Sequence, residues 1–314
     1  MTRFCVLFFV LVSMCHAQEE KTDVILKEKD LIPEGTAYNV EEKTIYVGSV
    51  YKQKIVGIDS TGKEFEVIGS HEFGILSPIG MEYEESTKTL WVCAALAPIV
   101  NKSGKDDWVT TILSFDMEQK KLKKKYKEYG YETPIFLNDL TVASDGTVYA
   151  TESVNSWIFK VNLNTDLLEK WIKLEGYGFA NGIVYDASSN VLFVAVNEGI
   201  LRVEPSSKQV QLIDTPEDMK AGGIDGLSIH EDYFIGHQST KVSKFFFNSD
   251  KTKLISCEIL DSGEEFDSST TGELGNGYYH YIVNSQIRSG VNQDAKRIKP
   301  MDSLEPVIIR KRKL

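Results

Sequence analysis

Glu34, Asn138, Asn181 and Asp225 each open the same recurring phrase: a polar residue, usually a glycine, an apolar-alternating run, a turn and an aromatic-rich run. Two carboxylates and two carboxamides offer only oxygen donors. With several coordination positions left to water, such a set suits a hard divalent cation, Ca²⁺ best, although other divalent cations fit the same donors. No His or Cys stands at an anchor of the phrase, which argues against Zn²⁺. Two titratable neighbours add acid–base chemistry. Asp139 follows Asn138 directly and is placed either to contact a metal-bound water or a substrate hydroxyl, or to accept a backbone hydrogen bond at strand entry. His237 follows Tyr-Phe-Ile-Gly and is a candidate general base near neutral pH, its alternative being an ordinary hydrogen-bonding histidine.

The elements that position these residues follow from the repeat. Six copies are anchored at Glu34, Ile79, Asn138, Asn181, Asp225 and Thr271, at spacings of 45, 59, 43, 44 and 46 residues. Most copies continue into a third and a fourth strand-like run, such as SWIFKVN followed by LEKWIKL. The fourth runs are amphipathic and charged, LKKKYKEY from Leu122 most plainly, as suits an exposed sheet edge. No sustained helical period appears. Four antiparallel strands per repeat, repeated radially, predict an all-β, six-bladed β-propeller spanning residues 18–314 as one domain. The segment around Asp23 to Lys29 is expected to complete the last blade.

In a propeller the innermost strand of each blade lines the central channel, so six anchors at one phase converge on one face of the disc. Oxygen donors gathered there are costly to bury unless a cation compensates them, which predicts one ion in the channel. The alternative is that they wet a water-filled channel. Loops joining second to third strands return to the same face. The longest, roughly Ala94 to Trp108, accounts for much of the 59-residue spacing and reads as a substrate wall, with Trp108 an apolar contributor.

At the N-terminus, MTRFCVLFFVLVSMCHAQ places Arg3 before an apolar run and ends in Cys15-His16-Ala17, the pattern of a secretory signal peptide over residues 1–17. The expectation is a secreted or periplasmic protein, free of the membrane after cleavage. The formal net charge of −11 disfavours nucleic acid and anionic membrane partners. The tail IIRKRKL reads as a solvated basic end. Cys93 and Cys257 each lie in a strand-like run and read as two buried free thiols, although export permits a bridge.

With these residues in place the chain resembles the calcium-dependent six-bladed propellers that include gluconolactonases (the senescence marker protein family), paraoxonases and squid-type diisopropyl fluorophosphatase. PEG at Glu34, LND at Asn138, ANGI at Asn181 and IDGLS at Asp225 carry the resemblance, which covers nearly the whole chain after residue 17. It implies that those four residues hold a catalytic calcium and that Asp225 acts as general base or nucleophile. Two departures bear on substrate. Sugar lactonases of the family tend to have an arginine where this chain has Phe136, and paraoxonases have a histidine where it has Ile79. Phe136, Ile79 and Trp108 therefore suggest a pocket less polar than a sugar site. Gly226, where paraoxonases have an asparagine, gives no reason to expect a second ion.

The reading is a secreted, calcium-dependent hydrolase of the lactonase or esterase type acting on a small lactone or ester. Asp225 would activate water, assisted by His237 or Asp139. Its rival is a non-catalytic propeller that binds a ligand or partner around a structural calcium. A synthase resembling strictosidine synthase is a third reading, disfavoured by the intact set of four calcium ligands.

Overall fold

Alternation of apolar and polar residues over runs of four to nine residues, broken by turn-forming Asn, Asp, Ser and Gly, gives strands and tight turns throughout. The computed structural model describes residues 21–100, 109–127 and 135–314. The expected signal peptide over residues 1–17 and Trp108 lie outside the described residues. Among the described residues there are three short 3₁₀ turns and no α-helix, and none is long and apolar enough to cross a membrane.

Six four-stranded antiparallel sheets form the predicted blades. The innermost strands are Pro33–Asn39, Ser77–Glu84, Leu137–Val142, Ile183–Asp186, Leu227–His230 and Gly272–Gly275. Each contacts the next, and the sixth contacts the first, so they close a ring around a central channel. The apolar side chains sort into six principal clusters, one between each pair of consecutive blades. Ala37, Tyr46, Met81 and Leu90 belong to the cluster between blades one and two, for example, and Tyr38, Val47, Ile282 and Ile309 to the one between blades six and one. Outermost strands carry the charge, as in Lys121–Lys127, where mostly exposed positions alternate with half-buried ones.

Blade six is built from both ends of the chain. Lys21–Ile25 pairs antiparallel with Ile308–Lys313, which in turn pairs with Tyr278–Ile282. This corrects the reading of the basic tail as a solvated end. Arg310 is 3% exposed and donates from Nε and Nη2 to Asp23 at 2.7 and 2.8 Å and from Nη1 to Asp261 at 2.7 Å. The tail's positive charge is matched by acidic partners on neighbouring strands and ties the ring shut. The cysteines need a similar correction. Cys93 is buried and Cys257 is exposed on the outermost strand of blade five, Leu254–Ser262, and neither is bridged.

Candidate metal and substrate site

The anchors reach the axis because the backbone bulges there. In blade three Leu137 pairs with Glu152 and Leu140 with Ala150, so Asn138 and Asp139 together face a single residue of the next strand. Glu34-Gly35 and Ile79-Gly80 occupy the same irregularity in blades one and two. An extra residue bends the strand and re-aims a side chain, which is how a strand tolerates Asn-Asp at its start. Where a glycine follows the anchor, as it does in every blade but the third, it answers to crowding between blades. A Cβ on Gly35 would lie 1.9 Å from the carbonyl oxygen of Ile79, and one on Gly226 2.6 Å from that of Thr270.

Glu34, Asn138, Asn181 and Asp225 all line one cavity of about 520 Å³ at the end of the channel where the innermost strands begin. Asn138 Nδ2 donates to Ser153 Oγ at 3.0 Å, and Ser153 passes the bond on to the Ala180 carbonyl at 2.6 Å. The Asn138 side-chain oxygen is thereby left for another partner. Thr270 and Thr271 hydroxyls both donate to the Glu34 carbonyl, at 2.8 and 2.6 Å, fixing the backbone beneath that carboxylate. The Asn181 amide hydrogen-bonds the Asp225 carboxylate.

Electrostatics follow from burying two acids that no ion pair within contact distance compensates among the described residues, with Arg288 acting on Asp225 only from farther off. Burial, reinforced by the charges of Asp225 and Asp139, pushes Glu34 up to about 8. Burial raises Asp225 to about 6, less far because the Asn181 hydrogen bond and the Arg288 charge favour its ionised form. Both carboxyls thus favour their protonated forms more than free acids do, Glu34 the more strongly, and the ring gains from any cation that replaces a proton there.

Asp139 points away from this cavity. Its Oδ1 accepts from the Leu140 amide at 2.9 Å and its Oδ2 from the Ile183 amide of blade four at 3.1 Å. It lines a second cavity of about 270 Å³ further along the channel, shared with Glu82 and Glu273. Burial is the main cause that raises Asp139 to about 7 and Glu82 to about 8, and it pushes Glu273 up as well. Of the two sequence expectations for Asp139, the backbone-bonding one describes its contacts.

His237 is not among the residues lining the ligand cavity. Fully buried, it places Nδ1 2.8 Å from Ser269 Oγ and Nε2 2.7 Å from Tyr279 Oη. Burial lowers its pKa to about 3, so the ring stays neutral. Both nitrogens are engaged and neither faces the cavity, so the general-base expectation is replaced by a positioning one.

Ile79 and Phe136 do line the cavity and join an apolar patch with Val50, Ala95, Ala97 and Ile99. Ala97 and Ile99 come from the start of the blade-two insertion, whose residues 101–108 lie outside the described residues. Sequence reading missed the other wall. The connection between the second and third strands of blade six makes an excursion carrying a two-stranded hairpin, Val291–Asn292 with Arg297–Ile298, and delivers Ile287, Arg288, Val291 and Gln293 to the cavity. Its only sequence signal was length, since its residues follow neither a strand nor a helix pattern.

Among the described residues no three His, Cys, Asp or Glu side chains gather to hold a metal ion. A cation at the ring would therefore depend on the two amide oxygens together with Glu34 and Asp225. The donors fit that role: all are oxygen, the carboxylates are held protonation-prone by burial, and the Asn138 amide nitrogen is already occupied.

No protein-family model matches the chain, and no curated protein matches it. Solved structures share its architecture. A gluconolactonase from Xanthomonas campestris superposes with a TM-score of 0.58 at 12% identity, covering 89% of this chain and 86% of its own. The major allergen Mala s 1 of Malassezia sympodialis gives 0.66 at 14% identity, with 92% and 95% covered. A luciferin-regenerating enzyme gives 0.63 at 12% identity, with 94% and 96% covered. At such identities the likeness bears on the fold alone, a six-bladed β-propeller shared with these structures, a gluconolactonase among them.

Proposed function

We propose that the protein is a calcium-dependent hydrolase of the lactonase or esterase type, acting on a small and largely apolar lactone or ester. One observation carries the reading: two carboxylates and two carboxamides from four different blades line one cavity together with the apolar Ile79, Ile99 and Phe136. Ca²⁺ bound by Glu34, Asn138, Asn181 and Asp225 supplies Lewis acidity toward the ester carbonyl. Apolar contacts with Ile79 and Phe136 hold the substrate body and exclude water from that side. Asp225, ionised near neutral pH and hydrogen-bonded by Asn181, takes a proton from water or attacks the acyl carbon directly. Fold neighbours described as a gluconolactonase and a luciferin-regenerating enzyme support an enzyme of this kind. An exported location, in line with the N-terminal pattern, belongs to the same proposal.

The test is hydrolysis of a panel of lactones and aryl esters with calcium, with a chelator, and with Asp225→Asn. Turnover that is lost to the chelator and to a folded Asp225→Asn variant supports the proposal. A second reading, a binding propeller with a structural calcium, is favoured by the burial of His237, which leaves the two carboxyls Glu34 and Asp225, both in the donor set for the cation, as the acid–base groups at the cavity among the described residues. No turnover on any substrate, with a calcium-dependent rise in melting temperature, would favour this second reading.

A further inference from the structure

Three charged side chains line the ligand cavity among the described residues: Glu34, Asp225 and Arg288. A divalent cation on the first two balances their charge. Arg288 is then left with none of its own. Its guanidinium makes one long contact, Nη1 to Ser239 Oγ at 3.4 Å, and forms no ion pair among the described residues. Arginine offers a planar fork of donors that matches a carboxylate in two places at once.

The excursion that carries Arg288 is firmly seated. Asn284 donates from Nδ2 to the Pro306 carbonyl at 2.8 Å and accepts from the Ile308 amide at 2.8 Å. Gln286 repeats the arrangement with Glu305, donating to its carbonyl and accepting from its amide, both at 2.8 Å. These amide side chains bond to the returning strand much as a backbone would. The Gly290 amide closes the turn by donating to the Gln286 carbonyl at 2.8 Å. Arg288 therefore projects from a braced turn, and its placement at the cavity is a property of the fold.

Position in the ring supplies the rest. Arg288 belongs to blade six, and Phe136 and Asn138 to blade three, which stands opposite in a six-membered ring. A ligand reaching across has an apolar wall at one end, the oxygen donors beneath its middle, and a guanidinium at the other end. From this we infer that Arg288 selects substrates carrying a carboxylate, an apolar ester or lactone with an acid group remote from the reacting carbonyl. The inference rests on the hydrolase reading for the identity of the reaction, and on the cavity alone for the preference.

The test compares two 4-nitrophenyl esters of matched length with calcium present, one a monoester of adipic acid with a free carboxylate, the other the neutral hexanoate. For the unaltered protein kcat/KM is expected to favour the carboxylate ester by about tenfold or more, through KM, as one charge-assisted pair implies. In Arg288→Gln that ratio falls toward one, and Arg288→Lys keeps part of it. High salt reduces the preference, because Arg288 is exposed. A ratio near one in the unaltered protein, or a ratio unmoved by Arg288→Gln, overturns the inference.

Should neither ester be hydrolysed, the hydrolase reading fails and Arg288 is judged by binding. Calorimetric titration then compares 5-phenylvalerate with 5-phenylpentanol. Tighter binding of the acid, lost in Arg288→Gln, upholds the preference, and equal affinities overturn it.

Discussion

The backbone amide of Asp225 donates to the carbonyl oxygen of His237 at 2.8 Å, and the His237 amide donates to the Gly226 carbonyl at 3.1 Å. These bonds pin the Asp225-Gly226 pair to the second strand of blade five. The imidazole, wedged between Ser269 and Tyr279, anchors that second strand against blade six. His237 therefore acts on Asp225 through the backbone.

Replacing His237 should cost stability without changing which group titrates. His237→Ala empties a fully buried site and takes one hydrogen-bond partner each from Ser269, which keeps the Ile282 carbonyl, and Tyr279, which keeps Ser228, lowering stability by about 2–4 kcal/mol. His237→Gln retains polar partners for Ser269 and Tyr279 and loses less. In both variants the shape of the pH profile of kcat/KM is expected to stay that of the parent. A limb that disappears with the imidazole would return His237 to the role of base.

Asp225→Asn should separate function from stability. Loss of a general base lowers kcat/KM on the best ester by about 10²–10⁴-fold. Without metal the same change stabilises the fold above pH 6, because burial raises the Asp225 carboxyl to about 6 and its ionisation is unfavourable there. Thermal unfolding in chelator at pH 8 should give the variant the higher melting temperature. A lower one would mean that the carboxylate is paired more strongly than Asn181 and Arg288 explain.

Metal-free protein should weaken as pH rises. Burial lifts Glu34 from an ordinary 4.5 to about 8, so between those values the folded state holds a proton that the unfolded chain has lost. Stability is full below about pH 4.5, as far as Glu34 is concerned, and declines toward pH 8. Calcium displaces that proton. Its affinity should therefore increase across the same range, and binding at pH 7 should release protons, seen as a buffer-dependent heat in calorimetry. Calcium affinity that is flat from pH 5 to 8 would remove Glu34 from the ligand set.

Ring closure is open to a direct test at Arg310. Removing the guanidinium leaves Asp261 buried with less compensation, so Arg310→Met should cost about 3–5 kcal/mol in denaturant unfolding. Adding Asp261→Asn should recover part of that loss. Equal stability for Arg310→Met and the parent would show that strand pairing alone closes the ring.

Much of this architecture was legible because a radial repeat writes the same local problem six times. Asn138-Asp139 in one strand is an oddity, but with Glu34, Asn181 and Asp225 at the same phase it marks an axis. Ile79 is itself an anchor, and Phe136, two residues before Asn138, was legible through the resemblance, as the place where sugar lactonases have an arginine. What escaped depended on contacts between repeats. His237 has the right position along its strand, yet the pleat turns its ring into the interface with blade six. The positive charges of IIRKRKL suggested water until Asp23 and Asp261 were found beside Arg310. Arg288 sits on an excursion held by side-chain-to-backbone bonds of Asn284 and Gln286, which leave no periodic trace in the sequence.

Blade six also imposes an order on the life of the chain. Of the described strands Lys21–Ile25 is made first, yet its only partner among them, Ile308–Lys313, is made last. For most of synthesis the opening strand has nowhere to go, and five complete blades wait on a sixth that no partial chain contains. The described chain is thus a hoop whose clasp is its first strand paired with its last. Cutting it at an outer turn such as Gly62 and joining Leu314 to Lys21 with a short linker would give a hoop clasped within blade one, with all four oxygen donors still facing the axis.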